Sequence, residues 1–478
     1  MTAHTGSTAR STTAASTGPA EPELKRSLTH RQITMIGLGS ALGTGLFLGS
    51  GSAIATAGPA VIVSYALGAT LVGIIGMVLG ELTIAHPERG SFGSVARRYL
   101  GPWAGFLVRW LYWLGAVVAV GGEVVAAALY LQFWWPQLPT TVGIVVVAGI
   151  VLGVNLVSVK SFGVAEFWFS TIKVTALLVF IVCGVLLVFF GLPGTPAAGL
   201  GNVTGDGGFF PEGSGAVWVA MAVVMFAFAG FETTFISAAE TSDPGRSIRT
   251  AMRSLVWRLG LFYVVSISLV IALIPWRDSA TADGSVQASP FVQVFADIGV
   301  PAAASLTNAV VLVAAVSAAN ANLYGASRLL HSLGHERLAP KALGKLNGRG
   351  VPVNALLGSA CGIAVAAGLA AYGVDNVFDA LVSIAIFAIL LVWLLILASY
   401  LRFRRGQDQA AVPERGGRTP GGRITAWVGI AGVLAVVATA AVVPPMLDAA
   451  LVGGGFTLLL SAVYLLSIRR RAAGTPRA

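Results

Sequence analysis

Four ionisable side chains, Glu81, Glu123, Lys173 and Glu232, each interrupt a stretch of sequence that is otherwise almost wholly apolar. A charge at hydrocarbon depth costs about 2.5–3.5 kcal/mol on insertion scales, so such residues mark ion handling, proton handling or pairing. Beside them lie two glycine-bearing stretches, I-G-L-G-S-A-L-G-T-G-L-F (36–47) and F-A-F-A-G-F-E (226–232). Glycine costs about 1 kcal/mol against alanine in a helix interior, and these runs read as helices built to open. An opened helix offers unpaired N–H groups, at a positive dipole end, where its second half starts. It offers bare carbonyls where its first half stops. The first suits a carboxylate and the second an ammonium. We therefore assign Gly43, Thr44 and Gly45 to a carboxylate, with Ser40 and Ala41 just before the break. The carbonyls of Phe228 and Ala229, beside Gly230, are assigned to an ammonium. The competing reading is that these glycines only let helices pack closely.

Glu123 lies near the middle of its apolar stretch, where it can line a pocket, contact a substrate amine or relay a proton. Lys173 has two readings, a desolvated amine that exchanges its proton and a permanent salt bridge. Glu81 sits close to a basic loop and reads as structural, and Arg109 as a side chain that snorkels or pairs near the inner face. No catalytic set competes with these. The five histidines fall in the tail, at span ends or in a basic loop, with no metal pair at i, i+4 inside a span. The glycines of 36–43 superficially match a nucleotide-binding pattern, but no strand precedes them. Cys183 and Cys361 sit in separate apolar runs and read as small hydrophobes.

What must position these groups is a membrane-embedded helix bundle. Hydrophobic residues make up 56% of the chain and charged ones 10%, with mean hydropathy +0.83. Runs long enough to cross a bilayer recur along it. Twelve spans are expected, at 33–56, 59–83, 102–131, 140–157, 164–191, 215–239, 255–274, 300–324, 354–372, 376–400, 424–442 and 449–468. With the N-terminus in the cytoplasm, 27 of the 30 Lys and Arg fall on the cytoplasmic side, counting Arg258 at the inner edge of the seventh span. The exceptions are Arg277, outside, and Arg109 and Lys173, within spans. That asymmetry fixes count and orientation together, and it explains the net charge of +10 without a nucleic-acid partner. The fold class is all-α and polytopic. Residues 1–28 read as a disordered cytoplasmic tail, not a cleaved signal. Residues 29–192 and 213–400 read as two five-helix halves, 424–468 as two added helices and 469–478 as a second cytoplasmic tail.

Several stretches resemble the amino acid–polyamine–organocation superfamily, within it the bacterial amino acid transporter family. They are G-S-A-L-G-T-G-L-F-L-G-S-G (39–51), A-G-P-A (57–60), P-E-R-G-S-F (87–92), N-L-V-S-V-K-S-F-G-V-A-E-F-W (155–168), F-A-G-F-E (228–232), A-E-T-S-D-P-G-R-S-I (239–248), A-L-I-P-W (272–276) and N-L-Y-G-A-S-R-L-L-H-S-L (322–333). The resemblance implies a LeuT-like 5+5 inverted repeat with helices 1 and 6 broken around a central substrate site. It implies an aromatic gate at Phe226, an acid for proton response or gating at Glu232, and a lysine at 173 linking helices 1 and 8 in lieu of a sodium ion. The expected function is proton-coupled amino acid import by alternating access across the bacterial cytoplasmic membrane, with both termini inside. No cofactor is expected beyond the proton as coupling ion, no enzyme activity, and no partner beyond the amino acid and the bilayer. An exchanger that needs no net proton is the alternative. A channel or receptor is disfavoured, because neither a polar pore lining nor a sizeable soluble domain is visible.

Overall fold

The computed structural model describes residues 42–86, 92–157, 159–191, 196–239, 243–279, 289–297, 301–406, 412 and 417–468. Ser40, Ala41, both expected tails and most of the P-E-R-G-S-F motif lie outside them. Among the described residues all regular structure is helical. Ten helices are long and apolar enough to cross a membrane. One of these, Thr44–Ala85, contains two passes, and Arg423–Ala438 is a shorter apolar helix, so ten plus one plus one returns the expected twelve.

The first pass is α1 (Thr44–Phe47), which continues through a turn at Leu48 into α2 (Gly49–Ala57). The second is α3 (Val61–Ala85). A surface helix α4 (Phe92–Leu100) carries Arg97 and Arg98 in its last turn. Then come α5 (Pro102–Gln132), α6 (Thr140–Val157) and α7 (Val159–Phe189). The sixth pass is split into α8 (Ala216–Phe228) and α9 (Glu232–Ala239). The seventh joins α10 (Pro244–Leu259) to α11 (Ser266–Leu273) through a π-helical turn at Gly260–Val265. A short α12 (Pro290–Asp297) precedes α13 (Pro301–His335). The ninth pass is α14 (Val353–Ser359) with α15 (Cys361–Ala371), and the tenth is α16 (Val377–Phe403). Outside the core, α17 (Arg423–Ala438) and α18 (Pro444–Val463) complete the set.

Packing register shows how the first half-helices meet the sixth pass. A Cβ on Gly45 would meet Ala227, and one on Gly49 would meet Val223, so α1–α2 runs antiparallel to α8. The Ser64 hydroxyl donates to the Val217 carbonyl and Gly68 abuts Val224 and Phe228, so α3 runs parallel to α8. The chain therefore reverses between α2 and α3. It does so at Gly58, whose φ of +59° is open to glycine at little steric cost.

Two spans are longer than hydropathy indicates. The seventh starts at Pro244, not 255, and the eighth runs to His335, not 324. Hydropathy ends a span where charges begin, but the backbone ladder continues while those charges reach the interface. The extension corrects one reading, because His331 and His335 come to lie one turn apart on a single helix with rings stacked at 6.4 Å. Among the described residues no third metal-ligating side chain joins them. The flanks facing outward are apolar. Val145, Val146 and Ile150 of α6 and Leu451, Leu458 and Leu459 of α18 are exposed, as helices facing lipid tails require.

Candidate substrate-binding site

A cavity enclosing about 590 Å³ of atom-free space, its open mouth included, lies where α1 and the α8–α9 break meet α5, α13 and α16. Its wall is mostly glycine and alanine, which brings backbone to the surface. The polar exceptions are Glu123, Tyr112 and Asn322.

The break in the sixth pass is fully described. The ladder stops at Phe228, Ala229 turns extended with ψ 145°, and Gly230 adopts φ +98° before α9 resumes at Glu232. Carbonyls at the end of α8 thereby lose their usual i+4 amide partners. Ala229 and Gly230 line the cavity, as does the ring of Phe226. Phe226 stands edge-on to Phe378, centroids 6.4 Å apart. The Phe228 ring packs away from the cavity, against Tyr263 at 4.5 Å and Tyr65 at 6.0 Å, and Phe228 is not among the residues that line it.

On the first pass α1 starts at Thr44, and Gly43 before it is extended, with φ −115° and ψ −166°. The two assigned glycines have different surroundings. A Cβ on Gly43 would stand 3.0 Å from Glu123 Oε1, at the cavity. A Cβ on Gly45 would stand 2.6 Å from Ala227 Cα and 2.8 Å from its nitrogen, so Gly45 is also what lets two backbones touch. Thr44 is fully buried, with both its side chain and its backbone N–H turned to the Glu123 carboxyl.

The charged residues separate into three environments. Glu123 lines the cavity at 3% exposure. Glu232 does not line it. Its Oε2 accepts from the Gly230 N–H at 2.8 Å and its Oε1 from the Trp393 indole at 2.7 Å. It thus caps the start of α9 and ties the break to α16. Lys173 is fully buried and donates to the Ser317 hydroxyl at 3.0 Å. That hydroxyl donates to Glu166 Oε1 at 2.6 Å, and Lys173 Nζ lies 4.0 Å from the same oxygen. Asn320, one turn along α13, accepts from Asn155 of α6 at 2.8 Å.

Glu166 is absent from the sequence assignments. A signal existed, since Glu166 precedes Lys173 by two helical turns and shares its face. Ser317 and Trp393 carried no such signal, being far away in sequence. Glu81 accepts from the Tyr400 hydroxyl (2.5 Å) and the Thr419 N–H (2.7 Å), with Arg404 at 3.3 Å. Arg109 pairs with Glu336 at 2.6 Å. Both fit the structural roles expected near the inner face.

The amino acid permease family model matches residues 32–471 of the chain. The chain belongs to that family. Among curated relatives, this permease is 42% identical over 382 residues to the γ-aminobutyric acid permease of Bacillus subtilis, covering 80% of each chain. It is 37% identical over 443 residues to the amino acid permease YtnA of the same organism, covering 92% of this chain and 95% of the relative. It is 39% identical over 393 residues to the aromatic amino acid transport protein AroP of Escherichia coli K12, covering 82% and 85%. The permease is accordingly a multi-pass membrane transporter for amino acids, not an enzyme.

Proposed function

We propose that this permease is a secondary active importer that carries one amino acid with a proton across the bacterial cytoplasmic membrane by alternating access. The observation that carries the reading is the cavity where the start of α1 and the break of α8–α9 face one another. The carboxylate takes the amides at Gly43 and Thr44, with the Gly45 backbone beside them. The ammonium takes the carbonyls of Phe228 and Ala229, and Phe226 covers the substrate. With both termini inside, the cavity extends from Glu123 toward Tyr112 on the cytoplasmic side. On the opposite side the Phe226–Phe378 contact and the Ser52 hydroxyl donating to Asp379 at 3.4 Å close it. This supports an inward-facing state.

Inward proton movement supplies about 2.3 kcal/mol per charge per 100 mV, enough for about fiftyfold accumulation. The relatives' names direct the first substrates tried. Purified permease in proteoliposomes is given labelled γ-aminobutyrate or phenylalanine, with every common amino acid as competitor. Uptake is expected to need an inside-negative, inside-alkaline gradient and to collapse with an uncoupler. Counterflow with no gradient-driven accumulation would instead establish an exchanger.

A further inference from the structure

Hydropathy starts the seventh pass at 255, yet α10 starts at Pro244, and the added turns hold Arg246, Arg249 and Arg253. At about 3.6 residues per turn, Arg246, Thr250, Arg253 and Trp257 fall on one narrow strip of this helix, with Arg249 on its flank. Those four are exposed, Trp257 to 80%, and Arg249 is half-buried. The opposite face is already packed. Ile248, Ala251, Met252 and Leu255 are buried, and Met252 and Leu255 lie against Gly80 and Gly76 of α3. The strip is therefore turned away from the protein. No ion pair among the described residues involves Arg246, Arg249 or Arg253. Asp243, the acid at the start of α10, turns its Oδ1 to the Arg246 backbone N–H at 3.0 Å. Like charges three and four residues apart destabilise a helix, so the strip calls for a counter-charge from outside the chain.

The chemistry of the strip changes along its length. Trp257 stands one turn beyond Arg253, and Leu261, 40% exposed, one turn beyond Trp257. Guanidinium, indole and aliphatic side chain follow one another over about 22 Å, at about 1.5 Å per residue. That is the order of aqueous phase, headgroup layer and hydrocarbon, with the indole at headgroup level. A free anion would leave the apolar end of the strip unused, whereas a phospholipid matches both ends. We infer that this strip of α10 binds an anionic phospholipid, its phosphate against Arg249 and Arg253 and its acyl chains along Trp257 and Leu261. Guanidinium forks suit phosphate oxygens. The bound headgroup supplies the missing negative charge and anchors the seventh pass at the interface. Only the leaflet, the cytoplasmic one, rests on the transport reading; the binding does not.

The test is fluorescence quenching in full-length permease reconstituted into mixed bilayers of phosphatidylcholine and phosphatidylglycerol, with one lipid or the other brominated. The signal of Trp257 is the wild type less Trp257→Phe. One surface arginine strengthens binding of an anionic lipid about fivefold, so the strip should prefer phosphatidylglycerol by about tenfold or more. The preference should fall as salt is raised. Arg249→Gln with Arg253→Gln should bring the ratio near unity, while Lys at both positions should keep most of it. Arg97→Gln with Arg98→Gln, on α4, should leave it unchanged. A wild-type preference of about twofold or less overturns the inference without any variant. So does an undiminished preference in the double glutamine variant. Equal loss in the α4 variant overturns it too, since the attraction would then be a diffuse effect of basic surface. Replacing chloride by inorganic phosphate at equal ionic strength should change nothing; losing the lipid preference there would make the strip a site for free phosphate instead. A permease that shows the preference but transports no amino acid would sink the transport reading and leave this site standing.

Discussion

Removing Glu166 tests whether Lys173 is a structural or a coupling residue. Both side chains are fully buried, their charged atoms are 4.0 Å apart, and Ser317 links them. At an effective dielectric near 20, that separation corresponds to a gross attraction of about 4 kcal/mol. Most of this offsets desolvation, so the pair contributes little net, whereas deleting one member strands the other at a cost of about 3–5 kcal/mol. Glu166→Ala and Lys173→Ala are therefore each expected to lower thermal stability markedly. The double variant Glu166→Gln with Lys173→Ala should recover part of the loss, because neither member of the pair is left charged, while Glu123, the other acid near Lys173, stays. Function should not recover with it. In the proposed site the substrate contacts come mainly from backbone on α1 and α8, so the double variant should bind an amino acid yet fail to accumulate it, with a flattened pH dependence of uptake. The assays are thermal unfolding of purified protein and uptake in proteoliposomes at several pH values. A double variant no more stable than the singles would refute the pairing argument. Unchanged accumulation and pH response in Lys173→Ala would remove that amine from coupling.

Reporter fusions after Arg405 and after Gly205 should report opposite sides of the membrane, and a shared side would contradict the twelve-pass arrangement. Gly43→Leu should abolish substrate binding in an inserted protein, since its side chain would enter the cavity. Gly45→Ala should instead lower stability, because its methyl would stand 2.6 Å from the Ala227 backbone. Normal binding by Gly43→Leu would move the carboxylate elsewhere. Trp393→Phe leaves Glu232 without one of its two named donors, a loss of about 1.5–3 kcal/mol for a bond to a charged group. Uptake should fall in this variant more than in Trp393→His, which can still donate; equal activity in all three would leave Glu232 without need of the indole.

The sequence by itself determined the membrane class, the twelve passes and the place where the sixth pass breaks. These depend on windows of about twenty neighbouring residues and on local backbone cost, both readable along the chain. The Phe228–Glu232 break is such a case, for Gly230 at φ +98° is a local event. Only the tertiary structure decided what each marked residue faces. It divided Gly43 from Gly45, one against a carboxylate and the other against a helix backbone 182 positions away. It gave Lys173 its partner Glu166 through a serine of α13. It set Glu232 outside the cavity wall and bonded it to Trp393 of α16, while placing Glu123 on that wall beside Thr44. A side chain's partner depends on which helix faces cross and at what height, and interhelical packing settles that between segments hundreds of residues apart.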